Sequence, residues 1–87
     1  KYTEAIPPLT RAANDPLYRE AYKAWTNLGI IKYRTEDYTQ AEYFLGRAIQ
    51  DSPQFSCVAH YYRGHIKLYR RQVQEAIKDY EAASKRY

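Results

Sequence analysis

Three side chains of types that ligate metals or act as nucleophiles fall within one short stretch: Cys57, His60 and His65. A zinc site or a Cys–His nucleophile pair needs such groups to converge on one point. The stretch reads as helix, where 57 and 60 are separated by about 300° and 57 and 65 by about 80° around the axis. The three therefore splay apart, and no metal is expected. Cys57 reads as a small helix-packing residue, His60 as a half-buried packing residue, and His65 as a partner contact. The chain has no Gly-rich phosphate loop, no Gly-x-Ser-x-Gly elbow and no His-Glu-x-x-His. Enzymatic activity and a cofactor are accordingly not expected. A single cysteine rules out an internal disulfide.

Nucleic-acid binding is the other chemistry that the composition raises. The net charge is +4 and there are 11 tyrosines. Lys67, Arg70, Arg71, Lys78, Lys85 and Arg86 make the last third basic. Glu75, Asp79 and Glu81 interrupt that series, which reads more simply as solvated helix faces than as a phosphate track.

The elements that carry these residues follow from composition and periodicity. The chain has 87 residues, 45% hydrophobic and 28% charged, which fits one folded domain or a piece of one. No apolar run approaches the roughly 20 residues that span a bilayer. The chain opens on Lys1 without methionine, so a cut fragment is expected, in which any N-terminal targeting segment would be missing.

Internal similarity supplies the strongest signal. Tyr2 and Ala5, Tyr38 and Ala41, and Val73 and Ala76 begin three similar segments, offset by 36 and then 35 residues. A large residue follows each (Leu9, Leu45, Tyr80), then an alanine (Ala12, Ala48, Ala83). Upstream of the last two, Trp25, Leu28 and Gly29 align with His60, Arg63 and Gly64. A period of this length marks a helical repeat array.

Helical spacing agrees. Ala41, Phe44, Leu45, Ala48 and Ile49 form one stripe, and Val73, Ala76, Ile77, Tyr80 and Tyr87 another. Asp15-Pro16 and Ser52-Pro53 read as caps before a first-turn proline, and Asp37 with Gln40 as a capping-box variant. Five helices are predicted, at about 3–13, 16–34, 38–50, 53–69 and 73–86. Pro7 would lie near the first turn, whose N–H groups are unpaired, whereas Pro8 should kink the first helix or delay its start. Gly29 and Gly64 each cost about 1 kcal/mol in a helix interior. Their recurrence predicts close backbone approach opposite Ala41 and Ala76.

Trp25, Leu28, Gly29, Tyr38, Ala41, Leu45, Ala48 and Pro53 resemble the tetratricopeptide repeat (TPR) pattern. Residues 56–87 match it at Gly64, Ala76, Tyr80 and Ala83, and depart from it at His60 and Arg63. The resemblance implies an all-α fold: a right-handed α-α superhelix, or solenoid, of helix hairpins in a single domain. Residues 1–15 would be the second helix of a truncated repeat, 16–55 one full repeat, and 56–87 another.

Such stacks bind proteins through the concave face lined by the first helix of each repeat. The resemblance places Lys23, Thr26, Asn27, Ile30, Tyr33 and Arg34 there, with Val58, Tyr61, Tyr62, His65, Leu68 and Tyr69 from the next repeat. The expected partner is a peptide or helix of another protein, held by aromatic anchors and oriented by basic residues. Val58 and Tyr62 stand where a carboxylate-clamp TPR needs basic side chains, so that subclass is not expected.

Ala12, Asp15, Leu17 and Tyr18, followed by Asn27-Leu28-Gly29 and Pro53, are similar in order and spacing to the pilotin-like TPR lipoproteins of type IV pilus biogenesis. That resemblance implies assistance to secretin assembly on the periplasmic side of the outer membrane. A generic cytoplasmic TPR adaptor is the alternative. The first helix lacks a hairpin partner upstream, so its face of Ile6, Leu9, Ala12 and Ala13 is a candidate homodimer contact.

Overall fold

The computed structural model describes residues 2–14 and 20–85. Among the described residues five α-helices follow one another: α1 (Tyr2–Asn14), α2 (Ala21–Arg34), α3 (Tyr38–Asp51), α4 (Cys57–Tyr69) and α5 (Val73–Ser84). A 3₁₀ turn, Pro53–Phe55, precedes α4. The fold is all-α, with no strand among the described residues. Each helix packs against the next in sequence, and α2 also reaches α4.

Helix ends follow local chemistry. Asp37 Oδ1 accepts from the Gln40 amide at 3.3 Å and caps α3, as its position predicts. α2 starts at Ala21, later than the predicted residue 16; the Asp15-Pro16 cap lies outside the described residues. Pro53 does not open α4. The Ser52 hydroxyl turns to Asp51 at 3.1 Å instead of capping, and the Ser56 hydroxyl donates to the Pro53 carbonyl at 2.7 Å, closing a separate tight turn. Pro7 and Pro8, both exposed, lie inside α1, which already begins at Tyr2, so Pro8 does not delay its start. α5 begins at Val73 as predicted and ends at Ser84, with Lys85 as its cap, short of the predicted 86; Arg86 and Tyr87 lie outside the described residues.

The two hairpins repeat bond for bond. After α2, the Asp37 amide donates to the Lys32 carbonyl at 2.8 Å and Glu36 to Tyr33 at 3.1 Å. After α4, Gln72 donates to Lys67 at 2.8 Å and Arg71 to Leu68 at 3.0 Å. Both pairs form the Schellman arrangement that satisfies terminal helix carbonyls. Its left-handed residue is Glu36 (φ 66°) in one turn and Arg71 (φ 63°) in the other, neither a glycine. The period of 35 residues is thus a property of the backbone as well as of the side chains.

The core is built from small residues around a few large ones. Ala24, Ala41, Ala48 and Ala59 are buried with Trp25, Leu28, Leu45 and Ile66. Ile6 and Leu9 are half-buried against this core and Ala13 is buried, so α2 takes much of the α1 face that the sequence leaves for a second copy. The Val73 and Ile77 positions of the predicted α5 stripe are exposed, while Ala76 and Ala83 are buried.

The glycines meet different neighbours from those expected. A Cβ at Gly29 would lie 2.5 Å from Leu45 Cδ2, 2.6 Å from its Cγ and 3.3 Å from its backbone nitrogen. A Cβ at Gly64 would lie 2.9 Å from the Tyr80 ring. The nearest atoms thus belong to the large residue of each second helix rather than to Ala41 or Ala76. Backbone approach is seen at Gly29; at Gly64 a ring covers the helix instead. Leu45 is fully buried and has nowhere to go, whereas the Tyr80 ring borders an open cleft. Gly29→Ala should therefore lower stability by about 1–2 kcal/mol net of helix propensity, and Gly64→Ala by clearly less. Urea unfolding of the two variants checks the order.

Candidate functional site

The residues that the sequence assigns to one concave surface separate into three places. Lys23, Asn27 and Ile30 of α2 line a cleft together with Tyr22, Thr26, Phe55 and Val58. The cleft measures about 280 Å³, room for one or two side chains rather than a drug-sized ligand. Tyr22 and Phe55 stack along it, ring centres 5.3 Å apart. The Thr26 hydroxyl is turned back to the Tyr22 carbonyl at 2.7 Å, as mid-helix threonines do. Lys23 forms an exposed ion pair with Glu20 at 2.9 Å. Asn27 is exposed, one helical turn from both Lys23 and Ile30.

Tyr33, Tyr61, Tyr62 and His65 make an aromatic cluster joined by Tyr80 of α5. The His65 ring lies 4.4 Å from Tyr61, 5.4 Å from Tyr80 and 6.2 Å from Tyr33 and Tyr62. The Tyr80 hydroxyl is 2.7 Å from His65 Nδ1. Burial, with Tyr61 and Tyr33 nearby, holds the Tyr80 phenol above its usual pKa. Tyr33 and Tyr62 also pack on the main core. These rings tie α2, α4 and α5 together, and only Tyr61 presents a large exposed area.

Leu68 and Tyr69 stand at the far end of α4. Tyr69 rests on Tyr38 at 4.5 Å yet is largely exposed, and Leu68 is 49% exposed. Arg34 is exposed at the end of α2.

The departures at His60 and Arg63 have a common cause. In the first hairpin, Trp25 stacks on Phe44 at 5.7 Å, and the Arg47 guanidinium lies 4.7 Å over the Trp25 ring. Thirty-five residues on, His60 and Asp79 stand in those two places. His60 Nδ1 is 2.8 Å from Asp79 Oδ1. Arg63, in the Leu28 place, donates through Nε and Nη2 to the same carboxylate at 2.8–3.1 Å. Lys67 Nζ lies 3.9 Å away. Asp79 is 3% exposed, so an aromatic stack has been exchanged for a buried ion cluster. Sequence reasoning missed Asp79 by taking it for a surface charge. The simultaneous loss of Trp and Leu at 60 and 63, with an acid replacing Phe at 79, was the available signal.

Cys57 lines an apolar cleft of about 370 Å³ between α4 and α5, with Val58, Tyr61, Tyr80, Ala83 and Ser84. It is half-buried beside open space rather than filled against a neighbouring helix. Among the described residues, no three His, Cys, Asp or Glu side chains are grouped to hold a metal ion. No described helix is long and apolar enough to cross a membrane. Compared with protein families, curated proteins and solved structures, the chain matches none.

Burial pushes the Asp79 carboxyl up, but hydrogen bonds from Arg63 and His60 and the charges of Arg63 and Lys67 outweigh it. The net pKa lies below the ordinary 3.8. A depressed folded-state pKa adds stability above the unfolded value of about 3.9, and that stability is lost as pH falls through the folded value. Asp79→Ala leaves Arg63 and His60 without their partner and should cost about 3 kcal/mol at neutral pH. The gap between it and the wild type should narrow below about pH 4. Urea titrations across pH measure both.

Proposed function

We propose that the chain is a TPR-type hairpin module that binds a peptide segment of another protein in the cleft between α2 and α4. One observation carries the reading. Lys23, Asn27 and Ile30, singled out by position in the repeat, line one cleft whose other walls are the stacked Tyr22 and Phe55 rings and Val58. An apolar side chain entering it would gain about 25 cal/mol for each Å² taken from water. Asn27 offers both a donor and an acceptor, the pair that an extended peptide backbone requires. The Lys23–Glu20 pair is exposed and worth little, so Lys23 can exchange Glu20 for an acidic residue of the partner.

The aromatic cluster supports rather than contacts the peptide in this reading. Its rings fix the angle at which α4 meets α2, and Tyr61 extends the apolar surface at its edge. The narrower pilus-biogenesis reading rests on the entry at Asp15, Leu17 and Tyr18, which lies outside the described residues. Peptide binding, whether in a secretin-assembly lipoprotein or in a cytoplasmic adaptor, does not depend on it.

Peptides selected from a random display library against the intact protein provide the probe. Asn27→Ala and Val58→Lys should each weaken the selected peptides at least about tenfold, roughly 1.4 kcal/mol, with unchanged thermal unfolding. Equal affinity of both variants for every selected peptide would overturn the cleft as the binding site.

A further inference from the structure

The second hairpin holds a hydrogen-bonded pair that the first does without. The Tyr80 hydroxyl of α5 is 2.7 Å from Nδ1 of His65 on α4. Thirty-five residues earlier, the same two places are Leu45 and Ile30, whose side chains form no hydrogen bonds. The α2–α3 hairpin closes with them, Leu45 fully buried. Packing alone therefore does not call for a phenol at 80 and an imidazole at 65.

The pair has a chemistry of its own. A phenol gives up an electron readily only if its proton leaves as well, because the phenol radical cation is a strong acid. A base already bonded to the hydroxyl takes that proton at once, and imidazole is the side chain suited to accept and return one near neutral pH. Electron transfer between rings falls off steeply with distance, so neighbouring rings decide what can reach Tyr80. Tyr61 lies 6.2 Å from it, centre to centre, and is 48% exposed. Beyond Tyr61 the rings continue through Tyr62 (5.6 Å), Tyr33 (5.4 Å) and Tyr38 (5.8 Å) to the exposed Tyr69 (4.5 Å). This run of tyrosines has no step longer than the one from Tyr61 to Tyr80.

We propose that Tyr80 and His65 form a proton-coupled redox site, where a one-electron oxidising equivalent that enters at the exposed rings of the run comes to rest. The oxidant is a one-electron acceptor, either an oxidising radical or a high-potential metal complex. It takes one electron from an exposed ring, and the vacancy moves from ring to ring until Tyr80 supplies the electron. The Tyr80 O–H bond then breaks and its proton passes to His65 Nδ1. The products are the reduced oxidant, a neutral Tyr80 phenoxyl radical and a His65 imidazolium whose Nδ1–H donates to the phenoxyl oxygen. The resting pair must have the phenol as donor, with the ring proton of His65 on Nε2. Tyr80 is the end point because, of the six tyrosines in the run, it is the one bonded to an imidazole. The site uses no residue of the Tyr22–Phe55 cleft and does not depend on peptide binding.

The probe is tris(bipyridine)ruthenium, oxidised by a laser flash with a cobalt(III) quencher in the presence of the intact protein. Absorption follows the tyrosyl radical, and EPR of frozen samples locates it. In protein made with isotopically labelled histidine, the tyrosyl signal should couple to a histidine nitrogen. His60 bonds to Asp79 and cannot supply that coupling. Tyr80→Phe keeps a ring over Gly64, and His65→Ile installs the residue of the first hairpin, so both should melt close to the wild type. Each should abolish the nitrogen coupling and shorten the radical lifetime about tenfold. Tyr61→Phe should slow the rise of the coupled signal. A wild-type signal without nitrogen coupling, a lifetime indifferent to Tyr80→Phe, or nitrogen NMR that places the His65 ring proton on Nδ1 in the resting protein would each overturn the proposal. The coupling and the NMR are read on the wild-type chain, so they decide the matter even where a variant unfolds.

Discussion

The approach of Gly29 to Leu45 governs the arrangement of the remaining helices. With no side chain at 29, the Leu45 side chain lies directly on the backbone of α2, and its own amide nitrogen comes within contact range. The buried alanines at 24, 41, 48 and 59 extend the same economy across the neighbouring faces. Packing of this kind is unforgiving, since one methylene too many has no void to enter. The distance it sets between α2 and α3 fixes where α4 can lie, and α4 in turn supplies Val58 to the cleft and its rings to the aromatic cluster.

The second hairpin reaches the same geometry by other chemistry. Where the first uses Trp25, Phe44 and Leu28, the second uses His60, Asp79 and Arg63, with Lys67 near the same carboxylate. A buried ion cluster is weak evidence for stability, because desolvation offsets much of the Coulomb attraction. It is more exacting in geometry: the Arg63 fork and the His60 ring meet the carboxylate in only one relative placement of α4 and α5. The Tyr80–His65 hydrogen bond adds a further fixed point between those two helices.

Much of the architecture was legible in the residues. The repeat at Tyr38 and Val73 places the starts of α3 and α5, and the Asp37 cap follows from its spacing to Gln40. What escaped has physical reasons. Pro53 promised a helix start, but Ser52 and Ser56 spend their hydroxyls elsewhere and leave a 3₁₀ turn. Pro8 promised a delayed start, yet both prolines lie within α1 on its exposed side. Val73 and Ile77 look like core from periodicity, which cannot tell whether a covering helix is present. Asp79 looks like surface because acids usually are, and only the coordinated change at three distant positions marks it as buried. Of the candidate binding residues, position in the repeat found the cleft members Lys23, Asn27 and Ile30. It could not foresee that Tyr33 and Tyr62 would spend their rings on one another.

The corners at Glu36 and Arg71 carry opposite charges on the same left-handed backbone. Electrostatics is therefore irrelevant to these two bends, and what they select is the absence of branching next to the main chain. Sequence drift at either corner can reverse the sign of the side chain without altering the bend, but a valine or isoleucine there would strain the left-handed backbone.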